Sequence, residues 1–139
     1  MRSDDCIYLR RTSCDPLRRA GEWESNDAGG LVYAGIAGRN PHGKGLPSRL
    51  RSHANGGRSG DQFCVYVADH YVLPELSREQ IEGIWDSRLS MDALVREKIQ
   101  TAFGSRFAVV DDYRAAIQVE KAIKSGRLRA GQPRLNPSR

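Results

Sequence analysis

The pattern of hydrophobic and polar positions predicts a chain that mixes short strands with helices. Apolar runs rich in β-branched and aromatic residues predict four strands, over residues 5–10, 31–37, 62–72 and 106–110. Segments 11–30 and 38–45 are rich in glycine and polar residues, which is typical of loops.

Helix-start and helix-stop residues mark the predicted helices. Residues suited to the first turn or the N-cap position occur at Pro47, Ser77, Ser90 and Asp112. The first of these helices is short and covers about residues 47–55, and Gly56 is placed to end it. Gly126 is placed to end the last one.

The order of these elements predicts an α+β fold, with a small central mixed or antiparallel sheet of three to four strands flanked by helices. A length of 139 residues corresponds to a single domain. The helical segment over about 69–106 is then an insertion into that domain. The chain shows no apolar run as long as a membrane span, and its start, "MRSDDCIYLRR", lacks the apolar region of a secretory signal. We therefore expect a cytoplasmic location and no membrane partner.

Charge adds an expectation about partners. The net charge is +5, and most of the 22 Lys and Arg residues are arginine. A basic, arginine-rich chain suits a polyanion, because the guanidinium group grips phosphate with two parallel hydrogen bonds. The alternative is that the arginine excess reflects genome composition and has no role in binding.

Three cysteines without a CxxC pair predict reduced, buried or half-buried thiols rather than a disulfide framework. A zinc site is the alternative, but the spacing of its candidate ligands suits no zinc motif. Those candidates are Cys6, Cys14, His42 and His70.

One glycine-rich loop is bordered by residues that together suggest phosphate chemistry. Tyr33 lies near the end of the strand that leads into the loop, and Arg49 and His53 lie four residues apart on the helix that follows. That spacing places both on one helix face. A tyrosine, an arginine and a histidine would offer a proton acceptor, a phosphate clamp and a second hydrogen-bonding group.

Five segments in order resemble the motifs of the GIY-YIG nuclease superfamily. They are "CIY" (6–8), "YAG" (33–35), "RLRSH" (49–53), "VEKAI" (119–123) and "PRLNP" (133–137). The resemblance implies a GIY-YIG nuclease-like fold and a Mg²⁺-dependent (or Mn²⁺-dependent) endonuclease that hydrolyses DNA phosphodiester bonds by direct water attack. It implies a catalytic set at Tyr8, Tyr33, Arg49, His53, Glu120 and Asn136.

The resemblance also implies a role for each residue. Glu120 would bind the metal, Arg49 would neutralise charge on the phosphate, and Asn136 would orient a group by hydrogen bonding. A free tyrosine is almost entirely protonated at neutral pH, so Tyr33 as base needs help from a nearby cation, or from Tyr8 or His53.

Most of these residues also have an ordinary structural alternative. His53 can be a solvated surface histidine, and Arg49 can belong to an arginine-rich surface. Tyr33 can be a core tyrosine, and Asn136 can set a turn. Glu120 can form a surface pair with Lys124. Glu97 is a second candidate for the metal ligand.

The expected partner is double-stranded DNA, and a homodimer or larger assembly is compatible with the sequence. Contacts with the nucleic-acid backbone are expected at Arg39, Lys44, Arg51, Arg58 and Arg127. The main alternative function is a non-catalytic nucleic-acid-binding module or subunit with a nuclease-like fold. An unrelated small RNA-binding domain is a third.

Overall fold

A computed structural model of the chain describes residues 6–12, 31–38, 45–127 and 131–136, the first segment by its backbone alone. The strands are β1 (Cys6–Thr12), β2 (Leu31–Ala37) and β3 (Phe103–Val109). The α-helices are α1 (Gly45–Ala54), α2 (Gln62–Val67), α3 (Arg78–Trp85), α4 (Met91–Ala102) and α5 (Tyr113–Lys124). A π-helical turn (Ala68–Val72) and a 3-10 turn (Leu73–Glu75) follow α2.

The chain divides into two compact units. The described residues of Met1–Arg49 and Ala102–Arg139 form the sheet unit, which contains all three strands and α5. Leu50–Thr101 forms the helical unit. The division falls within α1, after Arg49. The expectation of a single domain with a helical insertion over about 69–106 stays a prediction.

The sheet unit is built on antiparallel strands in the order β2-β1-β3. The register between β1 and β2 shifts between Arg10 and Arg11, because Arg10 faces Tyr33 and Arg11 faces Leu31. Val32 is therefore the extra residue of a β-bulge. The bulge reverses the alternation at this end of β2, so that Leu31 shares a sheet face with Ala34.

Helix α5 covers that face of β2. Leu31 and Ala34 form a buried cluster with Ala116 and Ile123 of α5. The helix starts at Asp112, whose carboxylate accepts a hydrogen bond from the Ala115 N–H at 2.7 Å, as its N-cap position predicted. This packing fixes how α5 lies on the strand that carries Tyr33.

The segment over residues 131–136 runs beside β2. The N–H groups of Arg134 and Leu135 donate to the carbonyls of Leu31 at 3.1 Å and Val32 at 2.9 Å. Since β2 lies at one end of the described sheet, this segment satisfies backbone groups of an edge strand.

The predicted strand over residues 62–72 is wrong, because this segment is helical from Gln62 through Glu75. Its buried residues are Phe63, Cys64, Val67, Ala68 and Val72. They recur at intervals of one and three or four residues, which is the stripe of a helix and not the alternation of a strand. The β-branched and aromatic content suggested a strand, but burial along one helix face outweighs that weak preference.

The predicted fold class is therefore also wrong. The described residues are mostly helical, and strand residues are a small minority confined to the sheet unit. Along β3, residues 105–109 are exposed on both faces, so helices do not flank the sheet there. A central sheet of three to four strands flanked by helices does not describe this chain.

Close approach of α4 to the end of α1 organises the helical unit. Gly56 has a φ of +70°, and a Cβ atom there would lie 2.4 Å from the Arg96 backbone nitrogen. The side chains of Arg96 and Gln100 donate to the carbonyls of Asn55 and Ala54, which satisfies acceptors left open at the end of α1.

The predicted start of α3 is confirmed. Ser77 and Gln80 form a reciprocal capping box.

Within the described ranges, no helix combines the length and apolar character needed to cross a bilayer. The cytoplasmic location stays a prediction.

Candidate active site

Tyr33 lies in the middle of β2 and is buried, with 7% of its surface exposed. Ala34 packs against α5, and successive strand residues point to opposite faces. Tyr33 therefore points to the face away from α5. On β1, position 8 faces Gly35 and position 10 faces Tyr33. The register thus places positions 8 and 33 on one face of the sheet; the Tyr8 side chain lies outside the described part.

Asn136 is brought to the same strand from 102 positions away. Its Oδ1 accepts a hydrogen bond from the Ala34 N–H at 3.0 Å, and its Nδ2 donates to the Ala34 carbonyl at 2.6 Å. Both ends of the amide are engaged with one backbone residue. The "PRLNP" and "YAG" segments, predicted to belong to one site, are in direct contact.

Glu120 lies on α5 between the two buried residues of its sheet-facing stripe, four positions after Ala116 and three before Ile123. Its side chain is 18% exposed, and Oε1 lies 3.1 Å from the Lys124 Nζ. The pair that the sequence offered as an alternative is therefore present, although it is half-buried. The rival, Glu97, is exposed and lines a cleft of about 180 Å³ in the helical unit.

Helix α5, which carries Glu120, and the Tyr33 side chain lie on opposite faces of β2. Helix α5 covers the face that Ala34 presents, whereas strand alternation directs Tyr33 to the opposite one. The structure therefore places Tyr33, Asn136 and α5 around one strand, with α5 on the face opposite to the one that Tyr33 presents.

The two predicted residues of α1 differ in environment. Arg49 is half-buried, while His53 is completely buried. The imidazole stacks on the ring of Phe63 with centroids 4.7 Å apart, and its Nε2 lies 3.6 Å from the Asp61 Oδ1. His53 thus belongs to the interior of the helical unit.

Asp61 is the centre of this buried group, and sequence reasoning did not single it out. Its carboxylate accepts hydrogen bonds from the backbone N–H groups of Phe63 and Cys64 and from the Ser52 hydroxyl. An Asp just before a helical stripe is an N-cap signal. The sequence contains that signal at Asp61, but the β-branched and aromatic content of residues 62–72 predicts a strand and masks it.

The residues predicted to contact a nucleic-acid backbone fall into three groups. Arg39 and Lys44 lie outside the described residues. Arg51 on α1 and Arg127 after α5 are exposed. Arg58 is exposed as well, but its Nε donates to the Asp92 carboxylate at 2.6 Å. The carboxylate therefore partly neutralises the charge of Arg58.

The donors available for a metal are few. The described part of the chain contains no group of three or more His, Cys, Asp or Glu side chains arranged to hold an ion. Mg²⁺ is commonly bound through one or two carboxylates and keeps several water ligands, so Glu120 alone meets the minimum. Its Lys124 partner would compete with the ion.

The zinc alternative gains no support from the residues that are described. Cys64 is buried, and its thiol donates to the His53 carbonyl at 3.5 Å. Cys14, His42 and the side chain of Cys6 lie outside the described part.

Comparison of the chain with protein-family models, with curated proteins and with solved structures found no match. The GIY-YIG resemblance therefore depends on the five motifs alone and stays a prediction.

Proposed function

We propose that the chain is a divalent-metal-dependent endonuclease that hydrolyses DNA phosphodiester bonds by direct attack of water. The observation that carries the proposal is the contact of the Asn136 amide with the Ala34 backbone. It joins the last predicted motif to the one that contains Tyr33. Helix α5, which carries Glu120, packs on the same strand.

Two side chains would act on the substrate. The Arg49 guanidinium would donate to the non-bridging phosphate oxygens and offset the charge that develops in the transition state. The Tyr33 hydroxyl would accept the proton of the attacking water. A bound Mg²⁺ or Mn²⁺, held by Glu120, would supply Lewis acidity at the phosphate.

Two other predicted residues receive positioning roles. Asn136 holds the backbone of β2, because both polar ends of its amide are engaged with Ala34. His53 holds α1, because its ring is buried against Phe63 and Asp61. These contacts support the proposal that Asn136 positions Tyr33 and that His53 positions Arg49.

A specific observation favours a second candidate, a non-catalytic nucleic-acid-binding module. Tyr33 and Glu120 belong to opposite faces of the sheet, and Glu120 already has a cationic partner. A site decayed to binding would tolerate both arrangements, and its DNA binding would be indifferent to divalent metal.

The test is cleavage of supercoiled plasmid by the purified protein in Mg²⁺, in Mn²⁺ and in EDTA. Tyr33→Phe removes one oxygen, and Arg49→Lys keeps the charge but loses the planar fork. Each should bind DNA and lose at least about a hundredfold in single-turnover rate, the scale for a proton acceptor or a charge clamp. Glu120→Gln should abolish the metal-dependent rate.

Matched controls come from the helical unit. Tyr66→Phe changes a half-buried tyrosine on α2, and Arg88→Lys changes an exposed arginine paired with Asp86. Both should cleave at the wild-type rate, and melting curves check that every variant is folded. Intact plasmid with wild-type protein under all metal conditions, together with DNA binding, would establish the second candidate instead.

A further inference from the structure

The ion pair between Glu120 and Lys124 is the starting point. Its atoms lie 3.1 Å apart, and the two side chains are only 18% and 27% exposed. The pair between Arg78 and Glu82 on α3 has the same four-residue spacing but is 93% and 58% exposed. The α5 pair is therefore less screened by solvent, and its attraction is stronger than that of an ordinary surface pair.

Helix geometry keeps the Lys124 side chain beside Glu120. Residues four apart on a helix are neighbours, and a glutamate N-terminal to a lysine is the favourable order. Lys124 also lies in the last turn of α5, where a cation interacts favourably with the helix dipole. A divalent ion that binds Glu120 would therefore have to displace the Lys124 ammonium group from the carboxylate.

We propose that Lys124 competes with divalent metal for Glu120 and is drawn away by a phosphate of the nucleic acid. This inference rests on the proposed function, because it assumes that Glu120 is the metal ligand. The ammonium group sits on a flexible four-carbon stem and has three donors, so it can exchange a carboxylate for a phosphate. Metal and nucleic acid would then bind cooperatively, each raising the affinity for the other by the same factor.

The first measurement is the affinity for Mn²⁺ in the absence of nucleic acid. The electron paramagnetic resonance signal of the unbound ion reports how much Mn²⁺ is free. Lys124→Met removes the competitor and should bind Mn²⁺ about three- to tenfold more tightly than the wild-type chain. Lys121→Met is the matched control, because it removes the same charge from an exposed position on the same helix. The double variant Glu120→Gln with Lys124→Met should lose the gain.

The second measurement is the affinity for DNA in EDTA over a range of salt concentrations. Fluorescence anisotropy of labelled DNA reports the binding. If Lys124 moves to a phosphate, Lys124→Met should reduce the slope of log affinity against log salt by about one. An unchanged slope, or equal Mn²⁺ affinity for Lys124→Met and Lys121→Met, would overturn the proposal.

These outcomes separate this inference from the proposed function. A wild-type chain that leaves plasmid intact at saturating Mg²⁺, with a Lys124→Met chain that still gains Mn²⁺ affinity, would refute the nuclease and keep the competition at Glu120. A cleaving wild-type chain whose Lys124→Met variant shows no gain would keep the nuclease and refute the competition.

Discussion

At the scale of single residues, the side chains of Asn136 and His53 are both engaged with the protein itself. The Asn136 amide makes two hydrogen bonds to one backbone residue. The His53 ring is buried between an aromatic ring and a carboxylate. Such contacts hold neighbouring groups in place, which supports the positioning roles proposed for Asn136 and His53.

Replacement of His53 by phenylalanine tests its positioning role. The ring can still stack on Phe63, but the buried Asp61 carboxylate loses a polar neighbour, which should lower the free energy of unfolding by about 1–2 kcal/mol. The cleavage rate of the folded protein should stay within about threefold of wild type. Urea denaturation and single-turnover cleavage give the two values.

Arg49→Lys on the same helix is the matched comparison, with the opposite expectation of a slow rate at nearly unchanged stability. If His53→Phe instead slows cleavage a hundredfold and leaves the stability alone, the histidine takes part in the chemistry.

At the scale of elements, helix ends and close backbone contacts determine how the segments meet. Asp61 caps α2, Ser77 caps α3, and Asp112 caps α5. The end of α1 is completed by side chains from α4. Gly56 allows that approach, because its left-handed conformation and its backbone contact with Arg96 leave no room for a Cβ atom.

Two adjacent glycines give a controlled test of this contact. Gly56→Ala should lower the free energy of unfolding by at least about 2 kcal/mol, since both the positive φ and the contact at 2.4 Å oppose a side chain. Gly57→Ala should change it by less than about 0.5 kcal/mol, because nothing lies within 4 Å of its Cβ position. Equal effects in chemical denaturation would show that α4 does not approach Gly56 this closely.

At the scale of the whole molecule, the net charge of +5 is the property that a polyanion would meet. Not every basic residue is equally available to it. Arg51 and Arg127 are exposed, whereas Arg58 is held by Asp92. The charge available to a polyanion is therefore smaller than the count of basic residues suggests.

Salt dependence measures that effective charge. If several phosphates are contacted, DNA affinity should fall by orders of magnitude between about 50 and 200 mM salt. Arg51→Gln should reduce the slope of log affinity against log salt by about one. Arg58→Gln is the comparison and should reduce it less, because its charge is partly neutralised. A flat salt response would assign the arginine excess to genome composition.

The sequence alone predicted features that depend on a few neighbouring residues. The strand over 31–37 coincides with β2, and Ser77 and Asp112 cap helices where their types and spacing indicated. The Asn136 contact with Ala34 brings the "PRLNP" and "YAG" segments together, and their common role in a site stays a prediction. The strand and the two caps could be predicted because apolar runs and capping residues depend on a few neighbouring positions.

Only the tertiary structure decided the features that depend on distant residues. Residues 62–72 contain strand-favouring side chains, yet they form helical turns because burial selects a period of 3.6. Packing against Phe63 and Asp61 buries His53 completely, whereas Arg49, one turn away on α1, is half-buried. The sheet face of Tyr33 relative to Glu120 followed from the packing of α5 on Ala34. Burial and facing depend on which remote segments arrive at a residue, and no local pattern contains that information.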